Sequence, residues 1–294
     1  MDYIYLLSIK NIAKVFYKPA KVIPTLKIYW KAFWDEVQTN RDNKNDIKYK
    51  DVTDKFLVSV YENSLHALER LSNYTRTKLL EVESIEDVFG KGLEKNENCI
   101  KLGKLFTEYG SDKATSHNYH LIYYSILHIK ATAELQILEI GLGSNNIDVM
   151  SNMGRYGKPG ASLRAFRDYL PHANIYGADI DKRILFKENR IDTFFIDQTN
   201  IQILNSVKKS FGDKKFDLII DDGLHNSEAN LNSMEFALDL LSPNGILIIE
   251  DISEHDFIYY KLLASIFEKD YRIRFIKTKA VFVCYLTRVN SELI

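Results

Sequence analysis

Apolar and polar positions follow two alternating periods in the C-terminal two-thirds of the chain. Short apolar runs, Leu135–Ile140, Ile175–Ala178, Phe194–Ile196, Phe216–Ile220 and Ile246–Ile249, each close on a glycine or a carboxylate. Runs of this length and ending suit buried parallel strands. Between them lie stretches of helical period. These are Leu163, Phe166 and Leu170 in a helix starting at Ala161 or Ser162, then Asn200 to Phe211. A segment opened by Asn226 or Ser227 follows, with Leu231, Met234, Leu238 and Leu241 as its apolar side, and then Tyr259 to Phe267. Two last strands, Tyr271–Ile276 and Ala280–Thr287, are long enough to pair antiparallel at a sheet edge. Strands alternating with helices predict an α/β fold around a mostly parallel sheet. One connection breaks the rhythm. Ser144 to Gly160 is polar and holds Gly154, Gly157, Pro159 and Gly160, where ~4–6 residues are usual; it is expected to cover a bound cofactor. Arg164, just after it, either meets a carboxylate or faces solvent.

Residues 1–100 read as a helical region without catalytic pattern, and residues 101–294 as the catalytic domain. Lys10 to Lys31 interleaves Lys14, Lys18, Lys21 and Lys27 with Phe16, Tyr17, Tyr29 and Trp30. That segment is either a membrane-surface or partner-binding helix or a packing layer broken by Pro19 and Pro24. Residues 35–55 predict a loop, and Val58 to Leu80 a packing or oligomer helix. Gly110-Ser111-Asp112-Lys113 is turn chemistry, followed by a helix from Asn118 to Ile129. This stretch is either a lid offering Tyr109, Asp112, Lys113, His117 and Tyr119 to a substrate or a capped turn before an aromatic packing helix.

Composition narrows the class. Of 294 residues, 39 are Lys or Arg and 40 are Asp or Glu, a net charge of −1, which gives no case for nucleic-acid binding. Two cysteines, Cys99 and Cys284, make neither a disulfide framework nor a metal pair and fit a reducing cytoplasm. No apolar run approaches the ~18 residues that span a bilayer, and Met1 to Leu7 is too short and polar in its flanks for a secretion signal. Richness in Lys, Asn and Ile hints at an AT-rich bacterial genome.

The chemistry collects at strand ends. Gly141 and Gly143 let the backbone turn and a ligand approach, but Asn146 stands where a dinucleotide fingerprint needs its third glycine. Asp179 closes the second strand, where a carboxylate binds ribose or caps a turn. Asp197-Gln198 follows the third and offers polar groups to an adenine edge. Asp221-Asp222-Gly223-Leu224-His225 and Glu250-Asp251 end the next two. Were those strands neighbours, their ends would lie ~5 Å apart, and clustered carboxylates repel unless a cation or proton joins them. Hard oxygen donors of this kind suit Mg²⁺ or Mn²⁺. The alternative has Asp221 and Asp251 capping turns and His225 opening a helix.

The order Glu139-Ile-Gly141-Leu-Gly143, Asp179 and Asp197-Gln198 resembles the class I S-adenosylmethionine-dependent methyltransferases, whose seventh strand runs antiparallel. Gly160-Ala-Ser-Leu-Arg164, Tyr176-Gly-Ala-Asp179, Asp221-Asp-Gly-Leu-His225 and Ile249-Glu-Asp251 look like the metal-dependent mycinamicin-type sugar O-methyltransferases, over roughly Phe106 to Thr287. The resemblance implies a Rossmann-like sheet and S-adenosylmethionine held by Glu139, Gly141, Gly143, Ser144, Asp179, Asp197, Gln198 and Asp221. It also implies Mg²⁺ on Asp222, Glu250 and Asp251, with His225 as general base. Leu224 departs from the Ser or Thr usual in that family. The expected acceptor is a sugar hydroxyl, on a nucleotide-linked sugar for a bacterial capsule or other surface glycan, in a cytoplasmic homo-oligomer. Two other readings stand beside this one: a metal-independent small-molecule methyltransferase, and a non-catalytic nucleotide-binding scaffold.

Overall fold

The computed structural model describes residues 81–289, all within one compact unit that comprises residues 68–294. The readings of the basic aromatic segment, the 35–55 loop and the Val58–Leu80 helix lie outside the described residues.

Among the described residues, nine strands form one sheet. They are β1 (Val82–Ser84), β2 (Gln136–Ile140), β3 (Asn174–Asp179), β4 (Lys187–Glu188), β5 (Ile191–Phe195), β6 (Phe216–Asp221), β7 (Leu241–Ile252), β8 (Tyr271–Lys277) and β9 (Phe282–Arg288). Their spatial order is β1-β8-β9-β7-β6-β2-β3-β5-β4. The pairs β2–β3, β3–β5, β2–β6 and β6–β7 are parallel, whereas β9 runs antiparallel to both β7 and β8. The mostly parallel Rossmann-like sheet with a reversed last strand is therefore present. Two strands had no sequence signal: β1, inside the stretch read as helical, pairs parallel with β8, and β4 makes a short antiparallel ladder with β5. Three residues and two residues are too few to show a period of two.

Alternation along the strands divides the core. Ile137, Ile175, Leu218, Ile220, Ile246 and Ile248 feed one apolar cluster. Leu138, Ile140, Ala178, Ile219, Leu247 and Ile249 feed a second. Successive side chains leave opposite faces of a strand, so the clusters occupy the two faces of the sheet. The first takes in residues of α1 (Ile85–Phe89), α2 (Glu97–Tyr109), α3 (Tyr119–Leu127) and α4 (Ala161–Tyr169). The second takes in α5 (Ile201–Phe211), α6 (Ser227–Leu240) and α7 (Phe257–Phe267). With helices on both faces, near-continuous apolar strands are what burial requires.

Local signals explain the boundaries. Asn96, Asn200 and Asn226 each accept hydrogen bonds from amides in the first turn of α2, α5 and α6, so Asn226 rather than Ser227 caps α6. Gly110 ends α2 in the left-handed region, with φ 86°. The face of α6 differs from expectation: Ala229, Ser233, Met234, Phe236, Ala237 and Leu240 are buried, while Leu231 and Leu238 are only partly so. Small residues at 229, 233 and 237 let the helix lie close to the sheet, and a pattern built on leucines passes over them. Leu241 belongs to β7.

Candidate functional site

The chain runs β2, β3, β5 outward on one side and then returns to place β6 beside β2. Ligands of open α/β sheets bind beyond the carboxyl ends of the strands at such a reversal. A cleft there encloses ≈ 530 Å³ of space, open solvent included, and its wall takes in Gly141, Gly143, Ser144, Asp179, Asp197, Gln198 and Asp222. Gly141, φ +98°, is indispensable: a Cβ there would sit 2.0 Å from the carbonyl oxygen of Asp222. Val149, Met150 and Ser151 of the long loop also line the cleft, and Ser151 Oγ donates to the Leu224 carbonyl at 3.1 Å, so the loop reaches across to the β6 end.

Asp179 is buried at the end of β3 and accepts the amides of Leu142 at 2.7 Å and Asp181 at 2.8 Å. Burial raises its pKa, against which those amide bonds work. Asp181, which no sequence signal singled out, collects Ser144 Oγ and Asn146 Nδ2, both at 2.7 Å, and so ties the glycine turn to β3. Asp197 accepts from the Thr199 amide at 2.9 Å and hydroxyl at 2.7 Å.

Strand parity sorts the remaining carboxylates. Asp221 lies opposite Ile140 on β2 and Ile249 on β7, which places Asp222 between the ends of those two strands. Glu139 and Glu250 share the parity of the first cluster and point towards the α2–α3 layer, whereas Asp221 faces α6. Two residues expected at the cofactor are therefore absent from the cleft wall. Glu139 is fully buried and accepts from Ser162 Oγ at 2.7 Å. Asp221, equally buried, accepts from Gln198 Nε2 at 2.7 Å; burial pushes its carboxyl up to about 6 against that bond.

Lys113 fills the space between Glu139, Asp222 and Glu250. Its ammonium lies 2.6 Å from Asp222 Oδ2, 2.5 Å from Glu250 Oε2 and 3.3 Å from Glu139 Oε1, and the side chain is 2% exposed. Burial alone would lower its pKa, but Asp222, Glu250 and Glu139 hold it well above the ordinary lysine value. The sequence offers Lys113 either to a substrate or to a capped turn, and nothing local marks it as the buried counter-ion that it is. Tyr123 donates its hydroxyl to Glu250 Oε1. Both oxygens of Glu250 are thus engaged by protein groups, and burial raises its pKa despite Lys113.

Tyr119 stands one turn before Tyr123 on α3 and donates to Asp251 Oδ1 at 2.5 Å. This Tyr-x-x-x-Tyr spacing is a legible signal for a helix face that meets strand ends. His117 stacks on Tyr119 with ring centroids 4.7 Å apart and holds Nδ1 3.9 Å from Asp251. Asp112 opens the short turn beneath them, its carboxylate 3.8 Å from His117 Nε2. Tyr109 is elsewhere: it donates to Asp168 and accepts from Arg167 at 3.2 Å. Arg164 meets a carboxylate, Glu188, at 2.7 Å.

His225 completes the site. Its Nε2 is 3.8 Å from Asp222 Oδ1 and 3.7 Å from Asp251 Oδ2. One donor atom each from Asp222, His225 and Asp251 lie within 4.8 Å of one another. A divalent ion bound ~2.0–2.6 Å from each is close to that spread, and the two carboxylates are the donors of the set that suit Mg²⁺ or Mn²⁺. His225 and Asp251 both adopt φ 54°, a conformation uncommon outside glycine that clusters at functional sites.

No family model matches the chain. Curated relatives do. The chain is 31% identical to mycinamicin VI 2''-O-methyltransferase of Micromonospora griseorubida over 122 residues, 40% of this chain and 27% of that protein. It is 32% identical to demethylmacrocin O-methyltransferase of Streptomyces fradiae over 122 residues, 40% of this chain and 28% of that protein. A Streptomyces olivaceus 2'-O-methyltransferase of 8-demethyl-8-α-L-rhamnosyl tetracenomycin C is 27% identical over 151 residues, 51% of this chain and 37% of that protein. The chain therefore spans about a third of the length of these relatives. Among solved structures, the MycE methyltransferase of the mycinamycin pathway, in complex with Mg and SAH, superposes with a TM-score of 0.52 at 22% identity, over 66% of this chain and 56% of that one. The resemblance read from the motifs is borne out, and the fold is that of the class I methyltransferases.

Proposed function

We propose that this protein is a metal-dependent O-methyltransferase that moves the methyl group of S-adenosylmethionine to a sugar hydroxyl. The observation that carries the reading is the double membership of Asp222. It lines the cleft beyond Gly141 and stands with Asp251 around the His225 imidazole, so cofactor and acceptor would meet at one residue. Gly141, Gly143, Ser144, Asp179 and Asp197 form the cofactor wall, Asp179 offering its free lone pairs to ribose hydroxyls. Asp222 and Asp251 hold the ion, and Glu250 either joins them or stays with Lys113 and Tyr123. A bound divalent cation supplies a lowered pKa for an acceptor hydroxyl that it touches. His225 accepts that proton as general base, and Tyr119 fixes Asp251 through its hydroxyl. The loop 144–160 excludes water and aligns oxygen, methyl carbon and sulfur.

The acceptors named for the relatives are a rhamnosyl group on tetracenomycin C and mycinamicin VI, which supports a glycosylated small molecule. The finer reading, a nucleotide-linked sugar for a capsule or surface glycan, rests on sequence composition. Competing turnover of a nucleotide-deoxysugar and a rhamnosylated aglycone decides between them.

A second reading has its own observation. The Lys113 ammonium already compensates Asp222 and Glu250, as it would in a metal-independent methyltransferase. Calorimetric titration of S-adenosylhomocysteine and of Mn²⁺ into wild type and Asp222→Asn separates the two. The metal-dependent reading expects cofactor binding to both proteins and ion binding to the wild type alone. Cofactor binding with no ion in either protein selects the second reading. No cofactor binding at all refutes both.

A further inference from the structure

We propose that Gln198 is a positioning residue: its carboxamide locks the Asp221–His225 turn against α6 and so sets where Asp222 and His225 stand, and it donates no hydrogen bond to the cofactor. This inference rests on the methyltransferase reading above and assigns to Gln198 a different task from the adenine contact that its sequence position suggests.

Both donors of the carboxamide are engaged by protein, and its oxygen accepts one further bond. Nε2 donates to Asp221 Oδ1 and to Ser233 Oγ, each at 2.7 Å, which uses both of its N–H groups. Oε1 accepts the Leu224 amide at 2.9 Å. The main chain is held as well, because the Gln198 carbonyl accepts from Asn232 Nδ2 at 2.9 Å. One residue, 8% exposed, thus links the exit of β5 to the end of β6, the turn that follows it and α6. Although Gln198 borders the cleft, neither donor is left for an adenine edge.

The turn needs such a lock. Gly223 gives the carboxamide its room, since a Cβ there would lie 2.0 Å from Gln198 Oε1. Directly after the amide that Gln198 holds comes His225 at φ 54°. A non-glycine residue in that region persists only where its surroundings over-determine it. The Leu224 amide bond fixes the residue before His225, and the Asp221 bond fixes the residue before Asp222. Asp222 then reaches the ion site from one side of the turn, and the His225 imidazole stands beside it from the other.

The test uses the full chain with Gln198→Met, which keeps length and removes all three carboxamide bonds, and Ser233→Ala, which releases one Nε2 bond from outside the cleft. Read for each are Kd for S-adenosylhomocysteine, Kd for Mn²⁺ by paramagnetic resonance, kcat, and Tm. Gln198→Met is expected to weaken Mn²⁺ and lower kcat by ~10–100-fold, the range for groups that orient ligands, with cofactor Kd within about threefold, short of a single lost contact. Ser233→Ala is expected to move Mn²⁺ and kcat in the same direction by less. Cofactor Kd raised about tenfold with Mn²⁺ binding intact would make Gln198 a cofactor contact and overturn the proposal. A fall in Tm alone, with both constants and kcat unchanged, would overturn it too. Should Gln198→Met not fold, Ser233→Ala decides: unchanged Mn²⁺ binding and kcat refute the lock. A wild type that binds cofactor but no ion leaves kcat to decide. A wild type that binds neither refutes the methyltransferase reading itself, an outcome visible before any variant is made.

Discussion

Replacing Lys113 by Met isolates the electrostatics of the strand ends. At an effective dielectric of about 20, an ammonium 2.6 Å from a carboxylate gains roughly 6 kcal/mol, and one at 3.3 Å roughly 5. Burying each ion costs several kcal/mol, so the intact cluster contributes little net stability. Its removal is another matter. Met fills the space but leaves Glu139 and Glu250 facing each other and Asp222 without their common cation. Breaking a buried pair from one side costs about 3–5 kcal/mol, and that is the loss expected at pH 7. The pH dependence follows from the carboxyls. Burial, with Lys113 opposing it, already raises Glu139 and Glu250 above the ordinary carboxylate value, and without Lys113 both rise further. A carboxyl raised in the folded state binds its proton more tightly there. The stability it contributes is complete below its unfolded value of about 4.5 and is lost as pH rises through the folded value. The deficit of Lys113→Met should therefore be largest at pH 7–8 and close as pH falls towards about 5. Urea unfolding followed by circular dichroism, repeated from pH 5 to 8, measures it. A variant within about 1 kcal/mol of wild type at pH 7 would refute the reasoning, as would a deficit that widens on acidification.

His225→Ala should retain cofactor and lose about 10²–10⁴-fold in turnover, the usual worth of a general base; near-normal turnover in single-turnover assays rules it out as the base. Gly141→Ala forces a Cβ to within 2.0 Å of the Asp222 carbonyl at φ +98°. It should lose at least about 2 kcal/mol of stability and its cofactor binding, read by thermal shift with and without S-adenosylhomocysteine. Cys99, its thiol pushed up to about 11 by burial, and the equally buried Cys284 should resist a disulfide reagent in the native protein and react together on unfolding. Fast labelling of the native chain would contradict their burial.

Much of the fold was legible because a parallel sheet covered on both faces writes continuous apolar runs into its strands. Leu135–Ile140, Phe216–Ile220 and Ile246–Ile249 announced themselves in that way, the antiparallel pairing of β8 with β9 followed from the length of the last two runs, and the reversal of β9 against β7 was implied only by the family resemblance. The neighbouring ends of β6 and β7, which the metal reading needed, are paired in the structure. Strands of two or three residues such as β4 and β1 carry no period. The buried face of α6 was missed because alanine and serine mark it in place of leucine.

The sequence by itself determined which residue types stand at the strand ends: glycine after β2, aspartate at the end of β3, paired carboxylates at the ends of β6 and β7. Strand ends are punctuated locally, by glycine, Asx turns and charge, so these features survive in one dimension. Only the tertiary structure decided how the charges are shared. Parity sent Asp221 towards Gln198 and Ser233 while Asp222 turned to the opposite face. The α2–α3 turn brought Lys113 across 109 residues of sequence to Asp222 and across 137 to Glu250. No pattern of spacing encodes such a partnership, because an ammonium and a carboxylate attract through space wherever folding has excluded water between them.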